Sequence, residues 1–430
     1  MQTYLFSVSL IHTIFKKRLH LLCGWIFILI SLEGHAQDTI RARKNLNTLS
    51  SKTMHGRGYL FKGHEMASQY IAEQMKVAGL ETLGSTYFQD FTISQNLFRK
   101  EPKLVNNGRK MKAGIDFIPS ADCGSISGKF KTIAFDSLPE TYRQLGPKHA
   151  NKKEAWLFSE AAQKRIKKKD WSILEEKGPG LLIFSKSKLT HTLSENKSNL
   201  PVIQILGNEN IKNGSEIEIK IRSKVNNQIK TRNVIGFSKG NQSTDSTIVL
   251  CAHYDHLGAM GKNVFFPGAN DNASGVSMLL EMAYLFASRP HKYNMLFIAF
   301  GAEEAGLLGS YYFVNHPLVA LSSIKFVLNL DLMGFGDKGI TVVNGSIFPA
   351  QYELMQKINA ENQYLTAINA RGKAANSDHY PFSERGVPAF FVYTLGGPGY
   401  YHDVFDKPET VTFSKYVPTF RLLTEFINKL

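Results

Sequence analysis

One stretch, from Thr247 to Glu304, limits what this chain can fold into. It opens on the apolar run Thr247-Ile248-Val249-Leu250, which stops at His253-Tyr254-Asp255-His256. The loop Gly268-Ala269-Asn270-Asp271-Asn272-Ala273-Ser274-Gly275 follows, and a second apolar run, Met295 to Phe300, ends in Gly301-Ala302-Glu303-Glu304. Apolar runs of roughly four to eight residues with turn signals at both ends read as buried strands. In open α/β sheets ligands bind beyond the carboxyl ends of such strands, and that is where the ionisable residues of this stretch gather.

From Thr231 onward strands and helices alternate. Asn233–Phe237, Thr247–Leu250, Asn294–Phe300, Ile324–Leu330, Ile340–Val343 and Ala389–Tyr393 read as strands, with helices over Ser274–Ala287, Glu304–Phe313, Gln351–Asn362 and Tyr416–Asn428. Such alternation implies an α/β fold, a three-layer α/β/α arrangement around a mixed, mainly parallel sheet. Upstream, Met66, Tyr70, Ile71 and Met75 keep one helical face until Gly79, after the loop His55-Gly56-Arg57-Gly58, where His55 and Arg57 are expected to anchor the loop. Between about Asn96 and Val225 the texture changes to short β-like runs broken by Gly, Pro, Asn and Lys, without a cluster of acids, His or Cys. This predicts a smaller inserted β-rich domain over residues 96–230, holding substrates or partners, between residues 37–95 and 231–430 of the main domain. His149 and His191 are expected at its surface.

At the start, Lys16, Lys17 and Arg18 precede the apolar stretch Leu21–Leu32, and Gly34-His35-Ala36 supplies small residues where a signal peptidase cleaves. Residues 1–36 therefore read as a secretory signal, with an exported, periplasmic or secreted mature chain from Gln37 and no stable membrane insertion after cleavage. An uncleaved anchor is the alternative. Cys23 falls in that segment, and Cys123 and Cys251 are too few and too far apart for a disulfide framework, so none is expected. The formal charge of +15 raises nucleic acid as a partner. The basic residues are dispersed, however, and the densest patch, Lys164-Arg165 with Lys167-Lys168-Lys169, reads as the solvated face of a helix without interleaved aromatics. No nucleic-acid partner is expected.

The chemistry lies at the strand ends. His253 and Asp255, two apart, point the same way on an extended chain. Asp271 sits in a Gly/Asn-rich loop before a helix, Glu303-Glu304 ends the next strand, Asp331 ends the one after, and Tyr401-His402 follows the last core strand. Carboxylates recurring at buried strand ends are costly unless paired or bound to metal. Three carboxylates with two histidines suit two zinc ions, with cobalt or manganese as substitutes; calcium or magnesium would draw on oxygen alone.

His253-x-Asp255, Asn270-Asp271-Asn272-Ala273-Ser274-Gly275, Glu303-Glu304-x-Gly306-x-x-Gly309-Ser310, Asn329-Leu330-Asp331-Leu332-Met333-Gly334, Ser377-Asp378-His379 and Tyr401-His402-x-x-x-Asp406 together resemble, in order and spacing, the di-zinc aminopeptidase family that includes bacterial leucyl aminopeptidases and glutamate carboxypeptidases. The resemblance covers about Thr231 to the C-terminus, and the middle segment looks like the protease-associated or apical domain of many members. It implies a metallo-aminopeptidase with two zinc ions per chain, acting on peptides: one zinc on His253, Asp271 and Asp331, a second on Asp271, Glu304 and His402, with Asp271 bridging. It further implies Glu303 as general base and Tyr401 as oxyanion support. Asp255 would orient a liganding histidine, Asp378, His379 and Asp406 would support the site, the Asp271–Asn272 peptide would be cis, and His256 has no ligand role.

Related scaffolds leave other readings: a glutaminyl cyclase-like acyltransferase with one zinc, and a non-catalytic binding protein like the transferrin-receptor ectodomain. A carboxypeptidase would need cations for the substrate carboxylate, for which Arg371 and Arg385 are the candidates.

Overall fold

Alternate residues of the Thr247–His253 strand bury against opposite sides of one sheet: Ile248, Leu250 and Ala252 join one apolar cluster, Val249 and Cys251 another. The neighbouring Asn294–Phe300 strand divides in the same way, with Met295, Phe297 and Ala299 on one side and Leu296, Ile298 and Phe300 on the other. A strand with two dry faces needs helices on both sides of its sheet. On the first side pack Gly275–Ala287, Pro349–Asn362, Tyr416–Lys429 and Gly63–Val77, and on the second Leu308–Asn315 and His379–Glu384.

The computed structural model describes residues 38–138, 151–207, 210–242 and 245–430. The expected signal segment and His149 lie outside the described residues. The chain divides into two units, Met1–Ile40 and Arg41–Leu430, and both sheets lie in the second.

The first sheet has eight strands in the order Phe88–Phe98, Ser223–Ser238, Asn294–Phe300, Thr247–His253, Ile324–Asp331, Ala389–Thr394, Ile340–Val343, Ile368–Ala370. Thr247–His253 pairs in parallel with Asn294–Phe300, the sheet's next strand along the chain, on one side and with Ile324–Asp331 on the other. Strand order therefore reverses about Thr247–His253, and its carboxyl end is a topological switch point, the place where such sheets open a crevice. Ile324–Asp331 and Ala389–Thr394 also run parallel, with Asp331 opposite Tyr393. The fold is α/β with a mixed sheet, as the alternation of elements implies.

The helix expected from Glu304 begins only at Leu308. Ala302 and Leu307 both have positive φ (60° and 61°), so Glu303 and Glu304 lie in a turn, free to project independently. The basic run is also not one helix: Glu160–Gln163 and Lys168–Lys177 are separate, and Lys164 to Lys167 connect them.

A second eight-stranded sheet comprises strands from Lys103–Asn106 to Glu216–Ile221. It is more than a set of short antiparallel runs. Ile126–Phe135, Glu154–Phe158, Leu181–Lys186 and Val202–Leu206 run parallel in sequence order, and parallel neighbours require crossovers, one of which contains the two short helices. Cys123 in its core and Cys251 in the first sheet are both free and buried. Leu257, Met260, Val264 and Phe266, from the loop after Thr247–His253, complete the apolar core beneath this sheet. The second sheet is thereby packed on the segment that leaves the switch point.

Candidate metal centre

His253 is the last residue of its strand and is 1% exposed. Its Nδ1 lies 3.1 Å from the carbonyl oxygen of Asp255. A carbonyl only accepts, so Nδ1 carries the hydrogen and Nε2 presents a lone pair. That lone pair faces Asp271 Oδ1 at 3.4 Å and Asp331 Oδ2 at 3.5 Å. His402 repeats the arrangement: Nδ1 is 3.0 Å from the carbonyl of His191, and Nε2 is 3.2 Å from Asp271 Oδ2 and 3.1 Å from Glu304 Oε2. The two oxygens of Asp271 thus face different histidines.

A neutral Nε2 opposed to carboxylates is an acceptor facing acceptors, an arrangement that calls for a cation between them. Without one the rings must take up protons. Burial alone would lower both pKa values, but Glu303, Asp331 and Asp271 hold His253 well above its usual range, and Glu304 and Asp271 push His402 up to about 11. Asp271 Oδ2 and Asp331 Oδ1 are buried without a hydrogen-bond partner among the described residues. Ligand atoms of His253, Asp271 and Glu304 lie within 4.8 Å of one another. Nitrogen and carboxylate donors in this arrangement fit zinc.

The backbone around Asp271 is held from several directions. Asp406 accepts from the amides of Asn270 (2.8 Å) and Asp271 (2.9 Å), and burial pushes its own pKa up to about 7. Asn272 donates to Leu330 O (2.9 Å) and accepts from Gly275 N (2.9 Å), tying the loop to the strand that ends in Asp331. Arg57, fully buried, donates to five carbonyls, among them Tyr254, Pro267, Gly268 and Asp271. The Asp271–Asn272 peptide is cis, as the resemblance implies.

Beside this cluster Glu303 is half-buried, with its amide donating to Asp255 Oδ1 at 3.0 Å. Burial, with the charges of Glu304, Asp378 and Asp331 and against that of His253, raises its pKa well above the usual carboxylate range. The Asp255 carboxylate, expected to orient a histidine, is 4.0 Å from His253 Nδ1; the carbonyl of the same residue makes the closer contact, and Tyr59 donates to Oδ2 at 3.1 Å. Tyr401 stacks on His402 (centroids 4.0 Å apart, planes at 12°) and is 45% exposed. Asp378 is buried near the cluster, with burial pushing its pKa up to about 7.

Two histidines stand out that the sequence reading left aside. His256, with no ligand role expected, is fully buried and places Nδ1 2.7 Å from Glu304 Oε1. Gly268 makes room for it: with φ +57°, any Cβ there would lie 2.4 Å from the His256 ring. His191 is not a surface residue. It is 4% exposed, stacked on Phe266 (5.0 Å), and its carbonyl receives the His402 ring. Its position follows from a contact 211 residues distant, which leaves no local signal in the sequence. Of the two arginines considered for a substrate carboxylate, Arg371 donates to Tyr393 Oη at 3.0 Å. Arg385 precedes Ala389–Thr394, at the amino end of a strand whose carboxyl end faces the site.

Residues 233–427 match the model of Peptidase family M28. Aminopeptidase YwaD of Bacillus subtilis is 33% identical over 211 residues, 46% of this chain and 43% of the relative. The probable lipoprotein aminopeptidase LpqL of Mycobacterium tuberculosis is 36% identical over 175 residues, 37% of this chain and 34% of the relative. The chain thus spans less than half the length of these curated relatives. Among solved structures, BSAP, a zinc aminopeptidase from Bacillus subtilis, superposes with a TM-score of 0.68 at 22% identity over 90% of this chain and 94% of that one. An aminopeptidase from Aneurinibacillus sp. strain AM-1 gives 0.65 at 17% identity over 91% and 93%. These two likenesses concern the fold.

Proposed function

We propose that this chain, whose residues 233–427 match the model of Peptidase family M28, is a zinc-dependent aminopeptidase that releases N-terminal residues from peptides. The observation that carries the reading is the division of Asp271 between two histidines, Oδ1 toward His253 and Oδ2 toward His402. It supports two zinc ions sharing Asp271, one held also by His253 and Asp331, the other by Glu304 and His402. Zinc bound there supplies a Lewis acid that polarises the scissile carbonyl and acidifies water.

The chain's own residues do the rest. Glu303, made more basic than an ordinary carboxylate by burial and by the neighbouring carboxylates, takes a proton from the attacking water as the water oxygen bonds to the carbonyl carbon. It returns that proton to the nitrogen of the leaving amine as the carbon–nitrogen bond breaks. Asp255 fixes the Glu303 backbone through its amide, and His256 turns Glu304 toward His402. In this reading Tyr401, stacked on His402 and 45% exposed, donates to the oxyanion.

We assign residues 96–230 to a separate inserted domain, and residues 1–36 to an export signal that delivers the mature chain to the periplasm or the medium. Among the described residues no helix is long and apolar enough to cross a membrane. The test is hydrolysis of aminoacyl anilides with and without an acetylated N-terminus, before and after chelation. Cleavage of free-amine substrates only, abolished by chelator and restored by zinc, is expected. Cleavage of the blocked substrates alone would contradict an aminopeptidase.

A further inference from the structure

The loop that presents His402 does not hold itself in place. His402 has φ 54°, a left-handed conformation uncommon for a side-chain-bearing residue. The turn is organised by Asp403, buried, which accepts from the amides of Tyr401 and Phe405. Beyond Asp406, which ties the loop's far end to Asn270 and Asp271, a set of tethers comes from the segment following Leu181–Lys186 of the second sheet. Lys188 Nζ pairs with Asp403 Oδ2 at 3.2 Å and donates to Gly399 O at 2.7 Å. Three residues on, His191 donates its amide to His402 O (2.9 Å) while its carbonyl accepts from His402 Nδ1 (3.0 Å). The His191 ring is pinned on Phe266, and Leu193 packs in the cluster containing Ala302, the residue before Glu303. Ser194 O accepts from Asn96 N, which fixes the far end of the segment.

We infer that residues 188–194 form a strap by which the second sheet sets the tautomer and orientation of His402, so that this sheet is a working part of one metal position and not of the other. His253 needs no such help, because its Nδ1 acceptor is the carbonyl of Asp255, two residues away. The hydrogen-bond partner of a liganding imidazole typically governs metal affinity by about 10–100-fold. The inference rests on the zinc reading above, and it identifies Lys188 and His191 as positioning residues. Neither side chain is assigned a contact with substrate.

The experiment is chelator competition on the full-length chain, with zinc and then cobalt(II) as the metals, comparing the unaltered protein with Lys188→Ala, His191→Ala and Lys188→Arg. Expected for the two alanine variants is a loss of affinity of about 10–100-fold at one equivalent, with the other unchanged. The cobalt absorption of the weakened site should alter, activity should be recovered by excess metal, and Lys188→Arg should largely restore binding. Lys188 has a side chain 44% exposed, so its alanine variant tests the inference even if His191→Ala does not fold. Two equivalents as tight in Lys188→Ala as in the unaltered chain overturn the inference alone, and so does equal weakening of both. Failure of the unaltered chain to bind zinc overturns the proposed function and the strap's role with it.

Discussion

The two halves of the proposed metal centre are built differently. His253 and Asp331 are the last residues of adjacent parallel strands, and their backbone is fixed by the sheet that packs the core. Glu304 and His402 stand in turns entered through left-handed residues, Ala302 at φ 60° and His402 itself at 54°. Glu304 is oriented by His256, and His402 by the carbonyl of His191, in the loop after Leu181–Lys186 of the second sheet. A ligand that ends a buried strand inherits its precision from packing; a ligand in a turn must be held by side chains and by distant chain. The first half should therefore resist local change and the second should not.

The largest effect is expected at the shared residue. Asp271→Ala removes both oxygens at once, so both metals should be lost and hydrolysis should fall to background, measured by elemental analysis and turnover. Retention of one tight zinc would show that the two halves are independent.

Removing one private ligand from each half sharpens the comparison. Asp331→Asn and Glu304→Gln should each weaken a single zinc. For Glu304→Gln, activity should return in part with added metal because Glu303 remains.

Asp406 acts on the backbone common to both halves. Asp406→Ala leaves the buried amides of Asn270 and Asp271 without an acceptor, at a cost of roughly 1–3 kcal/mol in stability. Both zinc affinities should drop together, in contrast to the one-sided loss expected from Lys188→Ala.

The effect furthest from the metal chemistry, on stability alone, is a pH dependence from outside the ligand set. Burial lowers His379 from 6.5 to about 4. A histidine held neutral in the fold but free to protonate when unfolded favours folding above 6.5 and progressively less as pH falls toward 4. That gap corresponds to on the order of 3 kcal/mol. In metal-free protein, His379→Gln should flatten the loss of thermal stability between pH 6.5 and 4, while leaving stability at pH 8 changed only by packing.

The same contrast explains what could be read from the sequence. The central strands of the first sheet are legible because both of their faces are apolar, and His253 and Asp331 because a polar residue ending such a run has few structural reasons to be there. Ile368–Ala370, a short exposed edge strand, carries no such signal. The turn at Glu303 and Glu304 is not legible: the alternation of elements leads to a helix over Glu304–Phe313, and the positive φ of Ala302 and Leu307 excludes its first turn. His402 is marked only by its place after the last core strand, since Tyr401-His402 in a Gly-rich loop has no periodicity of its own. His191 and His256 were passed over for a common reason. Their burial comes from contacts across the fold, with His402 and Glu304, and no neighbour in sequence announces it. The second sheet was recognised as β-structure, but its parallel order depends on which runs pair, and short apolar runs do not encode that.

The most direct measurement is zinc content and kcat on purified Glu303→Gln. The substitution keeps shape and removes the proton acceptor. Expected are about two zinc equivalents, near-normal substrate binding and a kcat lower by about 10²–10⁴-fold. Loss of zinc from Glu303→Gln, with Glu304→Gln fully loaded and inactive, would reverse the two assignments. A stoichiometry that stays at one zinc in the unaltered chain under zinc supplementation would contradict the shared role of Asp271 and favour the one-zinc cyclase reading.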